Sequence, residues 1–181
     1  MSCLVVSDIH GALPPLQRVL CYFDSHRYDL LLLLGDLLNY GPRNGLPDGL
    51  DAMGVAETLN RYADRIVAIR GNCDSEVDQM LLHFPCMADY SVLTIGNKRL
   101  LLTHGHVYNP DHVPPMSIDA IFCGHTHLWR LERNANGLLV CNTGSITFPK
   151  NGNEPTFATI SDNGTVQVRH LNGSVLKEVE I

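Results

Sequence analysis

Five short segments carry residue types that could do chemistry: SDIHG at 7–11, GDLLNYG at 35–41, GNCD at 71–74, THGH at 103–106 and GHTH at 124–127. Their donors are Asp8, His10, Asp36, Asn72, His104, His125 and His127. Carboxylate, carboxamide and imidazole together suit a borderline divalent ion such as Mn²⁺, Fe²⁺ or Zn²⁺. They fit neither an all-oxygen Ca²⁺ cage nor an all-thiolate site. Seven donors exceed the needs of one ion; with a carboxylate shared, they serve two ions about 3.5–4 Å apart. Taken singly, each segment says little, because aspartate before a loop often caps a turn. The weight lies in a shared context: all five follow an apolar, strand-like run at its carboxyl end. His106 orients a ligand or the substrate, or stands behind the first ring of donors. His26, His83, His112 and His170 lack this context and read as surface or packing residues.

The elements that must position these donors alternate in the first half of the chain. A strand is expected over CLVV, and a helix over LPPLQRVLCYFDSH. That helix has prolines near its start and apolar residues at Leu16, Val19, Leu20 and Phe23. LLLLLGD is continuously apolar, as a central strand covered on both faces would be. VAETLNRYA reads as a second helix, RIVAIRGN as a third strand, and SEVDQMLLHF as a third helix ended by Pro85. The second half is β-rich. YSVLTI and RLLLTHG flank the turn GNK, AIFCGH is another buried strand, and LWRLERNANGLLVCN reads as two strands. TFATIS, TVQVRHL and SVLKEVEI follow, with turns at DNG and NG. The segment from Asn39 to Gly54 is a long loop rich in Gly and Pro, and loops of that length are often functional. The fold class is α/β, with one domain over residues 1–181. In open α/β sheets ligands collect outside the carboxyl ends of strands, which would bring the five segments to one crevice.

Composition narrows the function classes. The formal net charge of -6 disfavours bulk nucleic-acid binding, which rests on a basic surface. LLLLL at Leu30–Leu34 is too short to cross a bilayer, and MSCLVVSDIH lacks the basic start of a signal peptide. The six cysteines, Cys3, Cys21, Cys73, Cys86, Cys123 and Cys141, are widely spaced with no CxxC pair. A reducing, cytoplasmic setting is the simpler reading.

DIHG, GD, GNCD, THGH and GHTH resemble the five motifs of the calcineurin-like metallophosphoesterases. NTGS at 142–145 is similar to that family's NPGS turn, with Thr143 in place of proline. The likeness runs over almost the whole chain and implies a four-layer αββα sandwich. It implies one ion held by Asp8, His10, Asp36 and His127, and a second by Asp36, Asn72, His104 and His125, with Asp36 bridging. It also implies a phosphodiesterase in which a metal-bridging hydroxide attacks phosphorus directly. Asp36, Asn72 and His104 stand at the catalytic centre of that scheme. Manganese is the foremost candidate metal, with Zn²⁺, Fe²⁺, Ni²⁺ or Co²⁺ as alternatives. The substrate would be a small phosphodiester, and the chain could act as a homo-oligomer such as a dimer. A phosphomonoesterase is the alternative within the family, and a non-catalytic scaffold the alternative outside enzymology.

Cys73 departs from the family pattern. Many members have histidine there, thought to protonate the leaving oxygen, and a thiol of pKa about 8.5 is a poor substitute. The departure favours diesters with acidic leaving groups. Cys73 as an extra metal ligand is a lesser reading. Arg43 and Asn44 in the long loop are candidates to contact substrate, together with Cys73 and His106.

Overall fold

The continuous apolar runs become strands buried on both faces. In the computed structural model, which describes residues 1–181, β1 is Cys3–Val6 and β2 Leu30–Leu33, paired in parallel, with β3 (Ile66–Ala68) parallel to β2. Leu4, Val6, Leu31 and Leu33 face one core, and Cys3, Val5, Leu32 and Leu34 face another. Two-sided burial is why these strands lack the apolar–polar alternation of a half-exposed strand.

On the first side lie three helices: α1 (Leu13–Ser25), α2 (Ala52–Asn60) and α3 (Glu76–Leu81). The stripe Leu16, Val19, Leu20 and Phe23 of α1 is buried against β1 and β2, as the spacing predicts. The loop expected over Asn39–Gly54 ends early. The Asp51 carboxylate accepts from the Gly54 N–H at 2.8 Å and starts α2 at Ala52. A Ser75/Asp78 capping box opens α3.

On the second side lies another sheet. It contains β4 (Tyr90–Ile95), β5 (Lys98–Thr103), β6 (Ala120–Cys123), β7 (Arg130–Arg133) and β8 (Leu139–Asn142), in the order β4-β5-β6-β8-β7. The last strands, β9 (Thr156–Ile160), β10 (Thr165–His170) and β11 (Val175–Glu180), return to the first sheet, whose order is β11-β10-β9-β1-β2-β3. Leu100, Leu102, Phe122 and Cys141 pack against the inner face of that sheet.

The two sheets and the first helical layer match the αββα expectation; the outer layer over the second sheet is irregular chain. Val113, Met116 and Ile118 cover Leu101, Ile121 and Val140 there. Pro110, Pro114 and Pro115 explain why no helix forms in that segment, since each removes an N–H donor and Pro114 and Pro115 adjoin. No helix is long and apolar enough to cross a membrane.

Candidate active site

The carboxyl ends of β1, β2, β3, β5 and β6 converge, and the turns that follow them carry the donors. Five of these residues adopt the left-handed backbone conformation: Asp8 (φ 57), His10 (φ 51), Asp36 (φ 55), His125 (φ 67) and His127 (φ 60). Non-glycine residues adopt it rarely, and such strain concentrates at functional sites. Two glycines allow the turns to close. A Cβ on Gly71 would lie 2.1 Å from Asp36 Oδ1, and one on Gly124 would lie 2.5 Å from Asp8 Oδ2.

Three imidazoles are fixed by backbone carbonyls. His10 Nδ1 donates to Asn39 O at 2.8 Å, His104 Nδ1 to Leu34 O at 2.7 Å, and His127 Nδ1 to Phe148 O at 2.7 Å. A carbonyl only accepts, so each Nδ1 carries the proton and each neutral ring aims an Nε2 lone pair inward. The inward atoms then face other acceptors. His10 Nε2 lies 3.3 Å from His127 Nε2, and His104 Nε2 lies 3.2 Å from Asn72 Oδ1. Asp8 Oδ1 is 3.2 Å from His127 Nε2 and 3.6 Å from His10 Nε2. It is buried with no hydrogen-bond donor of its own. Asp36 Oδ2 stands between His104 Nε2 at 3.5 Å and His10 Nε2 at 3.7 Å.

Lone pairs that face lone pairs in a buried site need positive charge between them. The donor set therefore fits divalent cations. Asp8, His10 and His127 form one group able to hold an ion; Asp8, Asp36 and His104 form another. Of the expected first set, Asp8, His10 and His127 come together, and Asp36 Oδ2 lies 3.7 Å from His10 Nε2. In the second, Asp8 joins Asp36 and His104, Asn72 reaches His104, and the His125 ring lies 5.1 Å from that of His104, centre to centre. His125 also donates its backbone N–H to Asp8 Oδ2 at 3.0 Å.

Electrostatics point the same way. Burial would push the Asp8 carboxyl up, but the adjacent His10, His127 and His104 rings outweigh this and hold it well below the usual carboxylate range. For His10, burial is outweighed by Asp8 and the Asn39 carbonyl, and its pKa is raised. Burial and the neighbouring His104 lower His125 and His106. His106 packs its ring 5.2 Å from that of His104 and leaves a buried Nδ1 unpartnered.

A cleft of about 340 Å³ opens over the donors, lined by Asp36, Asn72, Cys73, His125 and His127 and walled by the 41–44 loop, Thr126 and Lys150. Arg43 faces this cleft as expected. Asn44 also lines it, but its Nδ2 is engaged by Tyr40 O at 2.9 Å, so it braces its loop. Cys73 Sγ accepts from Asn72 Nδ2 at 3.2 Å and groups with His10 and Asp36. Burial first, then the Asp36 charge, pushes its thiol up to about 12.

Several contributors were not singled out from the sequence. Asp74 accepts from the N–H groups of Asp36, Leu37 and Gly71 at 2.7–2.8 Å, locking the turn after β2 to the turn after β3. Burial pushes its carboxyl up to about 6 against those three donors. Ser7 Oγ donates to Asp8 Oδ2 at 2.5 Å, and Ser145 Oγ to Asp8 O at 2.9 Å. The letters GNCD and NTGS held signals for Asp74 and Ser145; nothing in the sequence marked Lys150.

A family model described as the calcineurin-like phosphoesterase superfamily domain matches residues 1–164. The chain belongs to the calcineurin-like phosphoesterase superfamily. It is 44% identical to the phosphodiesterase YfcE of Escherichia coli K12 over 183 aligned residues, covering 100% of this chain and 98% of that protein. The solved structure of the E. coli phosphoesterase superposes with a TM-score of 0.95 at 42% identity, covering all of both chains. Vps29 of Chaetomium thermophilum shares the fold, with a TM-score of 0.70 at 18% identity over 99% of this chain and 97% of that one.

Proposed function

We propose that this chain is a metal-dependent phosphodiesterase holding two divalent ions, manganese foremost, between Asp8, His10, Asp36, Asn72, His104, His125 and His127. The observation that carries the proposal is the set of acceptor atoms facing one another at 3.2–3.3 Å, with buried Asp8 Oδ1 unpartnered among them. Full-length likeness to a named phosphodiesterase supports a diester as substrate. Two such ions would supply an acidified water as the nucleophile for direct attack on phosphorus and would offset charge on the phosphoryl oxygens.

The protein's own residues do the rest. Asn39, Leu34 and Phe148 carbonyls fix three rings in the tautomer that presents Nε2. Cys73 N–H donates to Asp36 Oδ1 at 2.8 Å, which leaves Oδ2, between His10 Nε2 and His104 Nε2, as the donor that both ions could share. Asn72, at the exposed lip of the cleft, turns Oδ1 to His104 Nε2 at 3.2 Å and Nδ2 to Cys73 Sγ at 3.2 Å. The Cys73 thiol, pushed up to about 12, gives no strong general acid, which supports substrates whose leaving group departs unaided. The complete donor set weighs against a non-catalytic scaffold. β11, beyond the matched residues 1–164, extends the first sheet and supports one domain over 1–181. Six unpaired cysteines support a reducing, cytoplasmic setting.

The test is elemental analysis with a paired assay. The Mn²⁺-loaded protein is expected to hold two ions per chain and to cleave bis-p-nitrophenyl phosphate faster than p-nitrophenyl phosphate. One ion per chain, or a reversed preference, contradicts the reading.

A further inference from the structure

Arg43 and Lys150 stand in the cleft wall with side chains that make no hydrogen bond or ion pair. Some exposed cations of this acidic chain pair locally, Arg70 with Asp89, Lys98 with Asp119 and Arg130 with Glu132. Arg43 and Lys150 differ from the other unpaired ones, such as Arg18 and Lys177, in that both line the cleft over the donors.

Their placement is tied to the donors. Arg43 rides on the loop that starts at Asn39, whose carbonyl fixes His10 and whose side chain accepts from Gly41 N–H at 3.0 Å. Lys150 donates its backbone N–H to His127 O at 3.2 Å, two residues after Phe148, whose carbonyl fixes the His127 ring. The two loops that orient the His10 and His127 rings are the two that carry the free cations. Any anion they hold thus has a set position relative to the phosphate held at those rings.

A phosphodiester carries one negative charge, and divalent ions at the donor set already answer it. The two side chains are surplus to that need. We propose that Arg43 and Lys150 form a second anion site, so that the substrate is a phosphodiester bearing a further carboxylate or phosphate on one of its alcohols. This rests on the diesterase reading above and names the substrate class within it.

Product-like inhibitors test the proposal regardless of which alcohol departs. Inhibition of bis-p-nitrophenyl phosphate cleavage is measured for butyl phosphate and 3-carboxypropyl phosphate on the Mn²⁺-loaded protein. The carboxylate should tighten binding about tenfold at low ionic strength, the sum of two screened, exposed ion pairs. The advantage should shrink in Arg43→Gln and in Lys150→Gln, and approach one in the double variant. Lys177→Gln, which removes an exposed charge on β11, should keep it. Both cations are exposed and unpaired, so folding is expected to survive, with metal content as the check. Equal inhibition by the two esters in an active wild type overturns the second site and leaves the diesterase reading standing. A tenfold advantage that persists in the double variant also overturns it, and assigns the carboxylate to the metals. Absence of diester cleavage by the loaded wild type overturns both readings.

Discussion

Asp8, His10, Asp36, His104 and His127 are at most 3% exposed, and three of them are rings pinned through Nδ1 to a backbone carbonyl. Across the same cleft Asn72, Arg43 and Lys150 are exposed, and the last two have no partners. The buried half is preorganised: its strain and its facing lone pairs are maintained by the surrounding sheets and by the carbonyls behind it. The open half is held only by its loops. The contrast separates two tasks. Ion geometry must be fixed before substrate arrives, whereas the wall that meets the alcohol groups can vary with the substrate while the centre stays intact.

The largest effect should come from the seam of the buried half. Asp36→Asn removes the charge that lies between His10 and His104, so both ions should weaken. We expect fewer than two metal equivalents and a loss of diester cleavage on the order of 10²–10³-fold or more. Elemental analysis of the purified variant checks it. Two full equivalents would show that Asp36 does not bridge.

Asp74 asks whether the buried half is rigid because of what stands behind it. In Asp74→Asn one carboxylate oxygen becomes an NH₂ facing backbone N–H donors, among them those of Asp36 and Gly71. Leaving a buried donor unmet costs about 1–3 kcal/mol. Losing a residue that orients ligands costs roughly 10–100-fold in metal affinity. The variant should therefore melt lower without metal and need more Mn²⁺ for half-maximal activity. An unchanged melting temperature and unchanged Mn²⁺ requirement would refute the bracing role.

Much of this contrast was legible in the letters. The apolar runs of β1 and β2 and the 16, 19, 20, 23 stripe of α1 follow from burial on two faces or one. The seven donors were legible because each stands just past such a run. What the sequence withheld depends on contacts distant along the chain. Asp74 looks like a turn residue until the turn after β2 lies against it. Lys150 is one lysine in a polar loop until its N–H meets His127 O. The outer layer over the second sheet was expected as the fourth layer of an αββα sandwich, and Pro110, Pro114 and Pro115 keep it irregular chain.

Cys73 lies on the border between the halves, and two measurements decide which half it serves. The first follows its titration. Burial and Asp36 raise the thiol to about 12, so at pH 8 only about one molecule in 10⁴ of the chelator-treated protein carries a thiolate there. Because the pKa is raised, reactivity is absent at neutral pH and grows as pH rises toward 12. Iodoacetamide at pH 8 should label exposed Cys21 well before Cys73, and rapid labelling of Cys73 would contradict the environment described.

The second, smaller effect concerns catalysis. If Cys73 only fills the place from which a proton could be given, Cys73→Ser should keep both metals and change bis-p-nitrophenyl phosphate cleavage little, because p-nitrophenolate needs no acid. Cys73→His should then help substrates with basic leaving groups, at most by the 10²–10⁴-fold of a well-placed acid and by less if its ring is not aligned. The measurement is rate against leaving-group pKa at matched Mn²⁺ content for wild type and both variants. A shallower slope in the histidine variant assigns Cys73 to the open half. Loss of an ion or of activated-diester cleavage in Cys73→Ser assigns it to the buried half, as the ligand its grouping with His10 and Asp36 would then make it.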